Sequence, residues 1–106
     1  MFTQEISENH DLWKLIVLNL VLALNGRLCK SMRGATLGFD GETIRLTFFF
    51  ERSPTEPEVE SLQDVEAEIV SCHKYQSDLV LSVVPVSESL HDKADNWGWV
   101  FLRSEG

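Results

Sequence analysis

The pattern of apolar and polar positions divides the chain into six segments joined by short connections. Leu12 to Leu24, LWKLIVLNLVLAL, is apolar almost all round a helical projection, interrupted only by Lys14 and Asn19. Its length and its Leu and Ala content predict a helix rather than a strand. The helix should start between Ser7 and Asp11, where Glu8 and Asp11 favour the positive end of the dipole, and stop at Asn25-Gly26. Apolar residues on nearly every side predict that it is covered on more than one side. Residues 31–39, SMRGATLGF, read as a weak strand broken by Gly34 and Gly38. Asp40-Gly41 is the strongest hairpin signal in the chain and leads into ETIRLTFFFE, residues 42–51. There Ile44, Leu46, Phe48 and Phe50 point one way and Thr43, Arg45, Thr47 and Phe49 the other, as in a half-buried strand.

Ser53 to Glu58, SPTEPE, is a helix entrance. With Thr55 as N-cap, Glu58 falls at the third helical position and completes a capping box. Pro57 then lies in the first turn, where its missing N–H costs nothing. The helix is predicted over 56–72, with Val59, Leu62, Val65, Ile69 and Cys72 as its buried stripe. Asp78 to Val86, DLVLSVVPV, is apolar on both faces and reads as a strand inside the sheet, with Pro85 marking its end or an edge position. A polar loop, 87–96, follows. Residues 96–103, NWGWVFLR, close the chain as a strand with Trp97, Trp99 and Phe101 on one face. The expectation is a single α+β domain, 1–106, in the order α-β-β-α-β-β. Its four-stranded mixed or antiparallel sheet should carry both helices. Phe48, Phe50, Leu62, Ile69, Leu81 and Val83 should share the core.

The composition adds limits. A chain of 106 residues holds one domain, and 43% hydrophobic with 25% charged residues is the balance of a folded protein. The net charge of -8 argues against nucleic acid or an anionic membrane as a partner, because both reward Lys and Arg. The uncharged run from Leu15 to Gly26 is 12 residues, short of the roughly 20 that a membrane helix needs. The first eleven residues carry three acids and no Lys or Arg, the wrong sign for a signal peptide. Two thiols, Cys29 and Cys72, fit a reducing compartment, so a cytoplasmic protein is expected.

Catalytic and metal chemistry finds little support. Cys72 and His73 are adjacent, so a helix turns their side chains about 100° apart, and no CxxC, HxxxH or HxH spacing occurs. The plainer reading is a small buried thiol and a helix-end imidazole. No nucleophile elbow surrounds Ser82, Ser87 or Ser89, and nothing favours pairing Cys29 with His91. Gly34, Gly38 and Gly41 lead into a strand without a GK[ST], so they do not cradle phosphate. Trp97 and Trp99 could stack on bases or sugars, but alternate aromatics on a terminal strand face the core more often. No cofactor, metal or catalytic residue is assigned.

Charge placement is more informative. Residues 1–50 hold five acids and five bases, whereas residues 51–68 hold seven acids against Arg52 alone. On the 56–72 helix, Glu60, Asp64 and Glu68 repeat every four residues opposite the apolar stripe, with Glu56 a turn before them. Like charges at that spacing cost a helix a few tenths of a kcal/mol per pair, and no Lys or Arg lies within it. Such a row is either a solubilising face or a docking surface for a basic partner. Clustering without pairing on the helix favours docking, with Glu56, Glu60, Asp64 and Glu68 as the contact residues.

The run GFDGETIRLTFFFERSPTEPEVESLQDVEAEIV, followed by an apolar strand and WVFLR, resembles bacterial immunity proteins of contact-dependent growth inhibition and related polymorphic toxin systems. The likeness spans residues 34–103 and rests on the hairpin, the helix entrance, the acidic helix and the aromatic last strand. It implies a cytoplasmic, non-enzymatic antidote that binds the C-terminal toxin domain of one cognate effector. Many such toxins are basic nucleases, in keeping with the acidic row. The expectation is a monomer that forms a 1:1 complex and covers the toxin's active site. The alternative is a homo-oligomeric structural or adaptor protein that self-associates through the first helix or the FFF strand.

Overall fold

The computed structural model describes the backbone of residues 2–27 and 30–103, with side chains from residue 10 onward within those ranges. Its elements are α1 (Phe2–Leu24), β1 (Met32–Phe39), β2 (Thr43–Phe50), α2 (Glu56–Val70), β3 (Gln76–Val83) and β4 (Trp99–Leu102). This is the predicted α-β-β-α-β-β order. The sheet runs β3-β2-β1-β4 and is mixed: β2 and β3 are parallel, and the other pairs are antiparallel.

The β1–β2 hairpin closes at Asp40-Gly41. Gly41 takes a φ of 98°, and the Asp40 carboxylate accepts the N–H groups of Glu42 and Thr43 at 2.9 and 2.8 Å. Those two bonds hold the Asp40 carboxyl below its usual range. After β2, the helix entrance forms as read. The Thr55 hydroxyl accepts the Glu58 N–H, and the Glu58 carboxylate accepts the Thr55 N–H at 2.8 Å. The capping box starts α2 immediately after β2 and returns the chain along one face of the sheet to β3.

One face of the sheet carries both helices. Ile16, Leu20 and Leu24 of α1 and Leu62, Val65 and Ile69 of α2 close over Leu37, Ile44, Leu46, Phe48 and Phe50. Four of the six predicted core residues are therefore fully inside. Leu81 is half-buried, and Val83 is 46% exposed, because β3 is an edge strand and not an inner one. Apolar residues on both its faces suggest two flanking strands, but among the described residues β2 alone pairs with it. Pro85 stands just beyond its end.

Three further expectations are corrected. α1 begins at Phe2, so Asp11 lies in its third turn rather than at its positive end, and the Glu8 side chain lies outside the described residues. β1 is not weak: it is a central strand, buried at every residue. The segment that covers its far face explains its glycines. A Cβ on Gly34 would press on Trp99 and Leu102 side chains at 3.1 Å, and one on Gly38 would collide with the Asp95 carboxylate. Finally, Trp97 and Trp99 face opposite ways. Trp97 packs on Phe39 over the main core, and Trp99 packs on Phe49 on the other side. Gly98, at a φ of 82°, and a bulge between the partners of Ala35 and Thr36 shift the alternation that the sequence pattern assumed.

The polar loop 87–96 belongs to the cover of that far face. The Thr36 hydroxyl donates to the Gly98 carbonyl at 2.7 Å and accepts the Asp95 N–H at 2.9 Å. Asn96 exchanges two hydrogen bonds with the Phe39 backbone. Arg45 grips Asp95 through two bonds of 2.9 and 3.0 Å, which hold the Asp95 carboxyl below its usual range. The fully buried Arg33 donates to the Val84 and Pro85 carbonyls, both at 2.9 Å, and fixes the start of this segment. A depressed carboxylate contributes stability above its unfolded pKa and loses it as pH falls through the folded value. Asp95→Asn is therefore expected to lower unfolding free energy by about 1–3 kcal/mol at pH 7 and by less near pH 3, measured by urea denaturation.

Candidate functional site

The capping box and the buried stripe Leu62, Val65 and Ile69 fix the rotation of α2, and so its outward face. Glu56, Glu60, Asp64 and Glu68 are all exposed there, on the side predicted for them. At four-residue spacing, successive carboxylates of the row rise about 6 Å along the helix. The structure also divides them. Arg27, just beyond α1, donates to Glu68 at 3.2 Å and to the Ala23 carbonyl at 3.1 Å. Arg52 likewise grips Glu58 beside the cap. Among the described residues, Glu56, Glu60 and Asp64 form no ion pair with a basic side chain, so the uncompensated charge lies on the N-terminal two-thirds of α2. Arg27 and Glu68 are 41 positions apart, and no local spacing could have disclosed their bond.

A second acidic group surrounds Arg45 on the other side of the sheet. Asp95 binds it directly, Asp40 lies 3.6 Å away, and Asp78 is its neighbour in the β2–β3 register. These charges hold Arg45 in place and raise its pKa, chiefly through the Asp95 bond. They serve the cover of the far face.

α2 stops at Val70, so Cys72 and His73 lie just beyond it, and both are half-buried rather than the buried thiol and helix-end imidazole expected. The Cys72 thiol donates to the Ile69 carbonyl at 3.0 Å, and burial pushes its pKa up. His73 Nδ1 accepts the Tyr75 N–H at 3.0 Å, and burial pulls its pKa down. The thiol is kept protonated and one imidazole nitrogen is already occupied, which is a poor start for a metal site. Among the described residues, no group of three His, Cys, Asp or Glu side chains could hold a metal ion. Cys29 lies outside the described residues, and with it any pairing with His91. Protein purified without added metal is expected to carry less than one equivalent by elemental analysis. Stoichiometric zinc, lost on mutating Cys72 or His73, would contradict this.

Sequence reasoning missed one surface. α1 is apolar nearly all round, yet among the described residues it is covered on one side only. Leu15, Leu18, Val21 and Leu22 remain exposed. All-round apolarity cannot indicate which side a neighbour takes. No described helix is long and apolar enough to cross a membrane.

Residues 14–105 match the MafI2 immunity protein family. The chain belongs to that family. The match takes in the C-terminal part of α1 from Lys14, all four strands, α2 and the cover of the far face. Family membership supports an immunity role and implies a cognate toxin as partner. No curated protein matches the chain.

Proposed function

We propose that this MafI2-family chain is a non-enzymatic cytoplasmic antidote that binds the C-terminal toxin domain of one effector in a 1:1 complex. The toxin is a basic nuclease of a contact-dependent or related polymorphic toxin system, and the outward face of α2 covers its active site. The free chain is a monomer with no cofactor, and neither nucleic acid nor membrane is its partner. One observation carries this reading: Glu56, Glu60 and Asp64 stand exposed on a rigidly capped helix with no basic side chain paired to them among the described residues. A nuclease cleft built to hold phosphates presents Lys and Arg, and such a row of carboxylates occupies the same charges. Glu68 joins the contact by exchanging Arg27 for a toxin cation.

The test uses the cognate toxin domain, to be sought first as the C-terminal domain of an effector encoded near this gene. Its hydrolysis of nucleic acid is followed as the chain is added. Inhibition should be complete near one equivalent, and substrate at high concentration should compete with binding. A stable complex that still cleaves would exclude occlusion. A toxin domain that leaves nucleic acid intact would exclude the nuclease assignment.

A further inference from the structure

α1 presents a face that nothing in the described chain covers. Ile16, Leu20 and Leu24 turn inward, but Leu15, Leu18 and Leu22 stay in solvent, Leu18 at 60% and Leu22 at 64% exposure. They recur at three- and four-residue spacing and make one continuous stripe along the helix. Lys14 is the only charged residue from Leu12 to Gly26. At its C-terminal end the stripe meets a cleft of about 340 Å³, lined by Val21, Leu22, Asn25 and Gly26 on one side and Val100 and Phe101 on the other. Contiguous apolar surface of this kind marks contact sites.

The acidic row lies in the same layer. α1 and α2 pack against each other over one core, and Arg27 joins the end of α1 to Glu68 near the end of α2. We propose that the toxin seats an apolar cluster on the Leu15, Leu18 and Leu22 stripe and in the adjoining cleft, while its Lys and Arg meet the carboxylates of α2. This rests on the immunity reading above. Charge selects the occupant. A second copy docked on this layer would bring another acidic row of a -8 chain toward the first, whereas a basic partner gains attraction there. The carboxylates then speed the encounter, and the leucines, desolvated at the centre of the contact, slow dissociation.

The experiment measures binding of the cognate toxin domain to the wild-type chain and to the double variant Leu18→Gln/Leu22→Gln. Gln keeps good helix propensity and adds no charge, and both sites are exposed. Circular dichroism verifies the fold, and Leu18→Ala/Leu22→Ala serves as a second variant. The dissociation rate is expected to rise at least about tenfold, with the association rate and its salt dependence unchanged. Unchanged dissociation, with the wild type still inhibiting, would overturn this inference and leave the immunity reading standing. A wild-type homodimer that the variant splits without loss of toxin binding would assign the stripe to a second copy and overturn it as well. A wild-type chain that does not bind the toxin would overturn both.

Discussion

Replacing Glu60, Asp64 and Glu68 together by Lys is expected to slow association with the toxin about 10- to 1000-fold at low ionic strength and to abolish protection of cells that express it. The substitution exchanges attraction for repulsion at one surface. All three positions lie off the buried stripe, and among the described residues the exposed Arg27–Glu68 bridge is the one ion pair lost, so the fold should survive. Salt should act in the same direction on the wild type, because exposed charges are screened over about 8–10 Å at physiological ionic strength. Stopped-flow association at low and high salt, with circular dichroism to verify folding, measures both effects. Unchanged association by the folded variant would make the row a solvated face.

The second large effect concerns the core. Ile69→Ala should lower unfolding free energy by about 2–5 kcal/mol, as should Leu62→Ala. Both side chains are sealed between α2, α1 and the sheet, Ile69 at 0% and Leu62 at 1% exposure. Domains of this size are stable by about 5–15 kcal/mol in total, so either change could halve the margin. Urea denaturation gives the number. Val83→Ala should cost far less, since Val83 is 46% exposed at the end of an edge strand. Equal losses at Ile69 and Val83 would contradict this packing.

Features written in neighbouring residues were legible in the sequence. The Asp40-Gly41 turn, the Thr55–Glu58 box and the alternation of β2 each need a span of a few positions, and each stands in the structure; of the α2 stripe, Leu62, Val65 and Ile69 are buried, while Val59 is half-buried and Cys72 lies beyond the helix. The acidic row was legible for the same reason: helical spacing alone places Glu60, Asp64 and Glu68 together. What failed depends on distant partners. The glycines of β1 suggested weakness because the segment that lies over them, from Asp95 to Leu102, is some 60 residues later. β3 is apolar on both faces, yet pattern alone does not reveal whether one strand or two will pair with it. The tryptophan phases turned on Gly98 adopting a positive φ and on a bulge, neither of which strict alternation anticipates. The bare side of α1 was hidden for a related reason, since a helix apolar all round carries no mark of its partner.

The polar loop shows why composition misleads about role. SESLHDKADN looks like a solvated connection. In the structure its end is bonded to Thr36, Phe39 and Arg45, and Leu90 is buried with Phe49 and Val84. Asp95 and Asn96 satisfy Arg45, Thr36 and the Phe39 backbone, whereas Glu88, His91, Asp92 and Lys93 stay exposed. The helix layer differs from the loop in setting a row of carboxylates beside an exposed leucine stripe.

The most direct test of toxin neutralisation through α2 is a structure of the chain bound to its toxin domain. The account predicts the Glu60 and Asp64 carboxylates within about 4 Å of toxin Lys or Arg side chains, with α2 lying across the substrate cleft. A complex in which the toxin docks elsewhere, for instance along the β3 edge, and leaves α2 in solvent would contradict it.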